Sequence, residues 1–219
     1  RAPGRLHSRT GCTKDGTLTA QDATVYWDAG AYVTTGPRVN YNAGFGASRP
    51  YKMPNARVNG YCVMTNKPLG TAYRGFGATE VAWAYESQMD LLAAKLGMDP
   101  VEFRMGNLLD EGDASPSGER VSQVGVKDCL AAVARSIGWE GTAPRRMPDG
   151  KLRGKGVACF SKITGTPSSN VRNYRTFVFY PYMSGYYLPC VKNRLNAWVG
   201  INLIGLELTF IPFITNIIL

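Results

Sequence analysis

An α+β fold is what the sequence predicts, and three observations carry the expectation. Turn and strand chemistry fills residues 5–35, helical periods occupy residues 78–138, and strand character returns near residues 154–163. At the start, Lys14, Asp15, Gly16 and Thr17 form a turn signal, and Leu18 to Trp27 is rich in Thr, Val and aromatic residues, so a β-hairpin is expected. The apolar parity changes from Leu18 and Ala20 to Ala23, Val25 and Trp27, which predicts a bulge or a strand buried on both faces. Gly, Pro and Asn dominate from Gly30 to Pro54 without a sustained period, and Thr35, Gly36 and Pro37 read as a turn. That stretch is expected to be a long, functional loop.

Asn59 to Thr65 is a short strand-type run, after which Asn66 to Gly70 must turn. Antiparallel strands and long loops are therefore expected up to residue 65. Val81, Tyr85, Met89, Leu92 and Leu96 recur at steps of three or four, which predicts a core-facing helix from Ala78 to Leu96, ended by Gly97. Asp99, Pro100 and Glu102 then stand as N-cap, first-turn proline and N3 acid of a second helix carrying Phe103, Met105 and Leu108. A third helix is expected from Val126 to Ile137, stopped by Gly138, and Gly154 to Ile163 reads as a strand.

Composition narrows the class. With 219 residues and 44% hydrophobic content the chain can bury a sizeable core. The net charge of +9 raises nucleic acid or an acidic partner, but the basic residues are scattered and no recognition motif accompanies them, so no nucleic-acid partner is expected. Cys12, Cys62, Cys129, Cys159 and Cys190 lack metal-site spacing and read as small apolar residues in a reducing compartment. Arg1, Arg5, His7 and Arg9 precede no apolar run, so no signal peptide is read and the default location is the cytoplasm. His7, the sole histidine, reads as structural. Beyond Asn170 the only acid is Glu207. Ile201 to Leu219 is apolar but interrupted by Asn202, Glu207, Pro212 and Asn216, which argues against a spanning helix.

The chemistry concentrates in Thr65 to Glu80, TNKPLGTAYRGFGATE. Glycines on both sides of Phe76 let the backbone approach a bound group, and amides just before a helix suit an anion. On spacing alone the blander reading leads: a tight loop with Phe76 in the core and Arg74 on the surface.

Residues 65–110 resemble the molybdopterin-binding region of xanthine dehydrogenase, aldehyde oxidase and carbon monoxide dehydrogenase large subunits. The resemblance rests on Thr65, Asn66, Pro68, the Arg74 to Gly77 element, Glu86 and Asp90, then Asp99, Pro100, Glu102, Arg104 and Asn107 in that order. KDGTLTA at 14–20, DAGAY at 28–32, PNARVNGYCV at 54–63 and RGKGVAC at 153–159 extend it over about residues 1–168. The organisation so implied is a partial molybdopterin-binding domain over residues 1–168 and an unassigned tail over 169–219, read as an out-of-frame or truncated continuation.

The resemblance implies a molybdenum-pterin cofactor, with the cytosine dinucleotide as one form. It implies hydroxylation of aldehydes or N-heteroaromatics such as purines with water as oxygen source. It also implies iron–sulfur (2Fe-2S) and FAD groups on partner subunits or domains. Arg74 would lie at the metal centre, Phe76 would stack on the substrate, and Gly75 and Gly77 would bring the backbone close to the cofactor. Arg1, in Arg1-Ala2-Pro3, matches a family arginine that steadies charge on the substrate, and no residue is assigned as a metal ligand. The family's distal glutamate and Gly-Gln-Gly loop are not matched, so a fragment inactive alone is expected. The alternative is a non-catalytic remnant acting only as a subunit-interaction module.

Overall fold

The computed structural model describes residues 2–179 except 33, 117, 119, 142–144 and 165–172, and gives the backbone alone at Arg145, 162–164 and Asn173–Phe179. The expected hairpin is present. β1 (Gly4–Cys12) pairs antiparallel with β2 (Leu18–Gly30) around a turn in which Gly16 takes φ 88°. Its register breaks between Gly11 and Cys12, where Ala20 and Leu18 are the successive partners, so Thr19 is the extra residue. This is the bulge that the parity change predicts: from Gln21 to Ala29 every second side chain is buried.

The stretch after β2 corrects two expectations. It folds as α1 (Gly36–Gly46), with Pro37 in the first turn, and α1 leads to β3 (Asn55–Met64). β3 then runs parallel to β2, with Tyr61 beside Tyr26, so the sheet is mixed rather than wholly antiparallel. The two corrections have one cause. A parallel neighbour cannot be reached by a tight turn, and α1 is the crossover that carries the chain back. Its buried face is Gly36, Val39, Ala43 and Gly46, which recur at helical steps but are too small to show as an apolar stripe.

α2 (Ala78–Leu96) begins and ends where its apolar period predicts, and Val81, Tyr85, Met89 and Leu92 are fully buried. α3 (Pro100–Asn107) follows at once because the Asp99 carboxylate accepts from the amides of Val101 at 2.7 Å and Glu102 at 3.2 Å. α4 (Val126–Ser136) packs Cys129, Leu130 and Val133 inward. A two-residue ladder joins β4 (Arg145–Arg146) to β5 (Leu152–Arg153), and β6 (Ala158–Thr164) pairs antiparallel with β7 (Asn173–Phe179). Val25 and Trp27 of β2, the α2 stripe, Phe103, Leu108 and Leu130 form one contiguous core.

Polar links also cross that core, among them one from α2 to β1 and one from α2 to α3. Gln88 of α2, fully buried, accepts from the Ser8 hydroxyl at 3.0 Å and from Thr10, and donates to the Ser8 carbonyl at 2.7 Å, so α2 is fixed to β1. The second is ionic. Arg104 of α3, with no exposed surface, donates to Glu86 at 2.9 Å, to Asp90 at 2.8 Å and to the Glu86 carbonyl at 3.2 Å, while the Tyr51 hydroxyl donates to the other Glu86 oxygen. Burial pushes the Glu86 carboxyl up and Arg104 pulls it back; burial likewise opposes the Arg104 charge, but the surrounding Tyr51, Glu86 and Asp90 hold it firmly protonated.

Cys12, Cys62, Cys129 and Cys159 are free thiols, the last two buried, and Cys190 lies outside the described residues. His7 sits exposed on β1 with its ring edge-on to Tyr26, 6.3 Å between centroids. No helix among the described residues is long and apolar enough to cross a membrane, and 201–219 falls outside them.

Replacing Arg104 by Met should cost about 3–5 kcal/mol, because it strands the Glu86 carboxylate in the interior; Glu86→Gln added to Arg104→Met should recover much of the loss. Denaturant unfolding of the single and double variants checks this, and equal stability of Arg104→Met and wild type would refute it.

Candidate functional site

The segment singled out by its glycines is a turn of unusual backbone. Gly75, Phe76 and Gly77 take φ values of 99°, 55° and 91°, three left-handed residues in succession. Phe76 N–H donates to the Tyr73 carbonyl at 2.8 Å and Ala78 N–H to the Gly75 carbonyl at 3.2 Å, which closes the loop onto the head of α2. Val81 N–H reaches the Gly77 carbonyl at 3.3 Å, so the helix proper starts at Ala78. No side chain caps it.

Glycine is required here by neighbours. A Cβ on Gly77 would come 2.5 Å from the Val39 carbonyl of α1, and one on Gly75 would come 2.5 Å from Thr79 Oγ1. Phe76 is the exception, an ordinary residue held at positive φ. Its carbonyl accepts from the Asn42 carboxamide of α1, and its ring packs half-buried at the margin of the core. Arg74 is exposed, and its carbonyl accepts from Thr79 Oγ1 at 3.5 Å.

The approach to the turn is fixed by Asp28, near the end of β2. Its carboxylate accepts from Lys67 Nζ at 2.8 Å, Thr65 Oγ1 at 2.5 Å and the Gly30 amide at 3.0 Å. Those three partners, the Lys67 hydrogen bond foremost, hold the carboxyl down from 3.8 to about 2. Backbone bonds complete the clasp: Ala31 N–H to the Lys67 carbonyl at 3.1 Å, Thr65 N–H to Gly30 at 3.1 Å and Gly70 N–H to Ala29 at 3.1 Å. Farther on, Thr35 Oγ1 accepts from Ala72 N–H at 3.1 Å and lies 2.7 Å from Thr71 Oγ1.

Of the residues expected at a site, Arg74, Gly75, Phe76 and Gly77 therefore share one strained turn between α1 and α2. Arg1 lies outside the described residues; beside it, Ala2 is buried and the Pro3 carbonyl accepts from Asp28 N–H at 2.9 Å. Sequence reasoning missed Asn42, whose signal is hidden in a stretch that lacks helical periodicity, and Asp28, whose DAG context was visible without its partners. Two open grooves of about 610 and 460 Å³ lie elsewhere, one at Arg9, Asp22 and Arg57, the other between α1 and β3, and neither includes residues 74–77. Among the described residues no three His, Cys, Asp or Glu side chains converge as a metal-ligand set.

The profile of the molybdopterin cofactor-binding domain family matches residues 1–108, which hold the parallel strand–helix–strand unit, the glycine-rich turn and the long helix that it opens. Through these residues the chain belongs to the xanthine dehydrogenase and aldehyde oxidase family of molybdopterin-binding large subunits. It is 40% identical over 119 residues to the nicotinate dehydrogenase large molybdopterin subunit of Eubacterium barkeri, which covers 54% of this chain and 28% of that protein. It is 36% identical over 164 residues to the xanthine dehydrogenase molybdenum-binding subunit of Escherichia coli O157:H7, covering 74% and 22%. The aldehyde oxidoreductase structure from Desulfovibrio gigas superposes with a TM-score of 0.60 at 31% identity, over 76% of this chain and 18% of that one. The chain thus spans 28% and 22% of the length of these two curated relatives.

Two outcomes follow from the geometry. Gly77→Ala should lose about 1–3 kcal/mol, since alanine is strained at this φ and presses on the Val39 carbonyl; a midpoint in urea equal to wild type would contradict it. For Asp28, the folded pKa lies below the ordinary value, so its stabilisation is complete above pH of about 4 and vanishes as pH falls through about 2. The difference in melting temperature between wild type and Asp28→Asn should be constant near neutrality and shrink over that acid interval, as scanning calorimetry across pH would register.

Proposed function

We propose that this chain is part of the large subunit of a molybdenum hydroxylase, with residues 1–168 forming a partial cofactor domain and the Arg74 to Gly77 turn facing the metal-pterin group and the substrate. The observation that carries the reading is the run of left-handed residues at 75–77, seated at the head of α2 inside the segment that matches the cofactor-binding family. The donor set fits such a group. It consists of the exposed guanidinium of Arg74 and the N-terminal end of α2, which no side chain caps, both suited to an anionic, oxygen-rich ligand.

The residues would divide the work as follows. Arg74 binds the cofactor's anionic edge, and Gly75 and Gly77 allow the backbone to approach it without a Cβ in the way. Phe76 presents its ring to a flat substrate, where stacking both orients the ring plane and excludes water from one of its faces. Arg1, ahead of the buried Ala2, would supply a positive charge to the substrate side. The bound cofactor supplies the redox chemistry of hydroxylating an electron-poor carbon, with oxygen from water. Aldehydes and N-heteroaromatics such as purines are the substrate class, the cytosine dinucleotide is one form of the pterin, and iron–sulfur and FAD groups on partner subunits would accept the electrons. The chain alone is inactive and works in the cytoplasm as part of that complex.

The test uses a complete large subunit that contains this segment. Its molybdenum content is measured on the purified protein, and an absence of metal in a well-folded preparation overturns the proposal. With metal in place, Phe76→Ala should leave molybdenum content unchanged and weaken binding of a heteroaromatic substrate about 3–10-fold, the range expected for one lost stacking partner. Unchanged binding would remove Phe76 from the site.

A further inference from the structure

Phe76 has a backbone that disfavours it, so something must hold it there. A residue with a Cβ at φ 55° gives up about 1–2 kcal/mol relative to the right-handed region, and a free loop would relax. Of the two glycines beside it neither supplies the restraint, since each tolerates either sign of φ. Hydrogen bonds within the turn involve the amides of Phe76 and Ala78 and the carbonyls of Tyr73 and Gly75. The Phe76 carbonyl accepts instead from the side chain of Asn42, 34 residues earlier in sequence, on α1.

α1 is well placed for the task. Val39 and Ala43, one turn apart on its buried face, press against Gly77, while Asn42 projects beside them to the preceding carbonyl. The helix thus grips two consecutive peptide units of the turn, one by contact and one by a hydrogen bond. Asn42 is half-buried, so water competes for the carbonyl only partly. An amide is also the right chemistry: Asn offers N–H donors, whereas an isosteric Asp would set a carboxylate against a carbonyl oxygen.

We propose that Asn42 is a positioning residue, whose carboxamide fixes the peptide plane after Phe76 and thereby the direction in which the Phe76 ring is presented. The assignment rests on the reading of Phe76 as the substrate-facing aromatic, and it adds the residue that sets the orientation of that ring. α1 then has two roles, as the crossover that makes β3 parallel and as the clamp on the turn.

The experiment is hydrogen exchange and nuclear Overhauser spectroscopy on the isotopically labelled chain, with Asn42→Asp in two backgrounds. In the first, otherwise wild type, exchange at the Phe76 and Ala78 amides should accelerate about fivefold, the effect of one lost hydrogen bond, while Leu92 and Met98 amides stay as they were. The strong amide-to-Hα cross-peak within Phe76 that a left-handed φ produces should weaken in the same variant. In the second background, Phe76→Gly, the added Asn42→Asp should have little effect, because glycine keeps a positive φ unaided. The proposal is overturned if Asn42→Asp leaves exchange at residues 76 and 78 unaltered, accelerates Leu92 equally, or acts to the same extent in both backgrounds. None of these readouts involves cofactor or substrate, so a subunit without molybdenum would sink the functional reading while leaving this result to stand or fall by itself.

Discussion

The buried contact between Arg104 and Glu86 is the constraint on which the arrangement of this chain depends. It joins α3 to the middle of α2 in a place where neither charge reaches water, so each makes the other tolerable. Such a pair adds little net stability over apolar packing, but it penalises every arrangement in which the helices slide past one another. Asp90, one turn beyond Glu86, takes a second guanidinium nitrogen, and Tyr51 occupies the other Glu86 oxygen. Helix, helix and the segment before β3 are therefore registered by one cluster of four side chains.

That registration matters because the turn at residues 74–77 is an extension of α2. If α2 rotated or slid, Gly77 would lose its fit against Val39, and the turn would leave α1. The other end of the loop is moored independently, by Asp28 gripping Thr65 and Lys67. Asn107 gives a third mooring: its carboxamide accepts from Leu18 N–H at 2.8 Å and donates to the Gly16 carbonyl at 2.8 Å, which ties the end of α3 to the β1–β2 turn. The ordered string of residues that marks the family thus separates by physical task. Asp99, Pro100, Arg104 and Asn107 build and dock a helix, Glu86 and Asp90 hold Arg104 in place, Thr65 joins Asp28 in clasping a loop, and Arg74 to Gly77 form the turn at the head of α2.

How legible this was varied with the range of the interactions involved. α2, and the start of α3, were readable to the residue because their signals are local: an apolar step of three or four, a capping Asp and a first-turn Pro. The bulge at Thr19 was readable too, since a change of parity leaves its mark on side-chain type. α1 was not, because Gly36, Gly44 and Gly46 lower helix propensity and its buried face is chosen for smallness against α2 and β3, a demand that comes from tertiary contact. The parallel pairing of β3 follows from that crossover and was lost with it. At the site, the glycines announced a tight turn, but the cause of their presence did not: Gly77 answers to Val39, and the partner of Phe76, Asn42, lies in a stretch that reads as loop.

The last step concerns why a phenylalanine stands between two glycines. If the turn served packing alone, glycine or asparagine at this position would satisfy the backbone at lower cost, and a large ring would be expected to be fully buried in return for the strain. The ring of Phe76 is instead half-buried, packed against the margin of the core. On the proposed function, the face of Phe76 that does not pack on the core is the one offered to the substrate. The restraint from α1 fits that proposal, since the bond from Asn42 holds the backbone from which the ring projects. Scaffold and site are in this sense one device: the buried ion pair sets α2, α2 and α1 together set the turn, and the turn presents the ring.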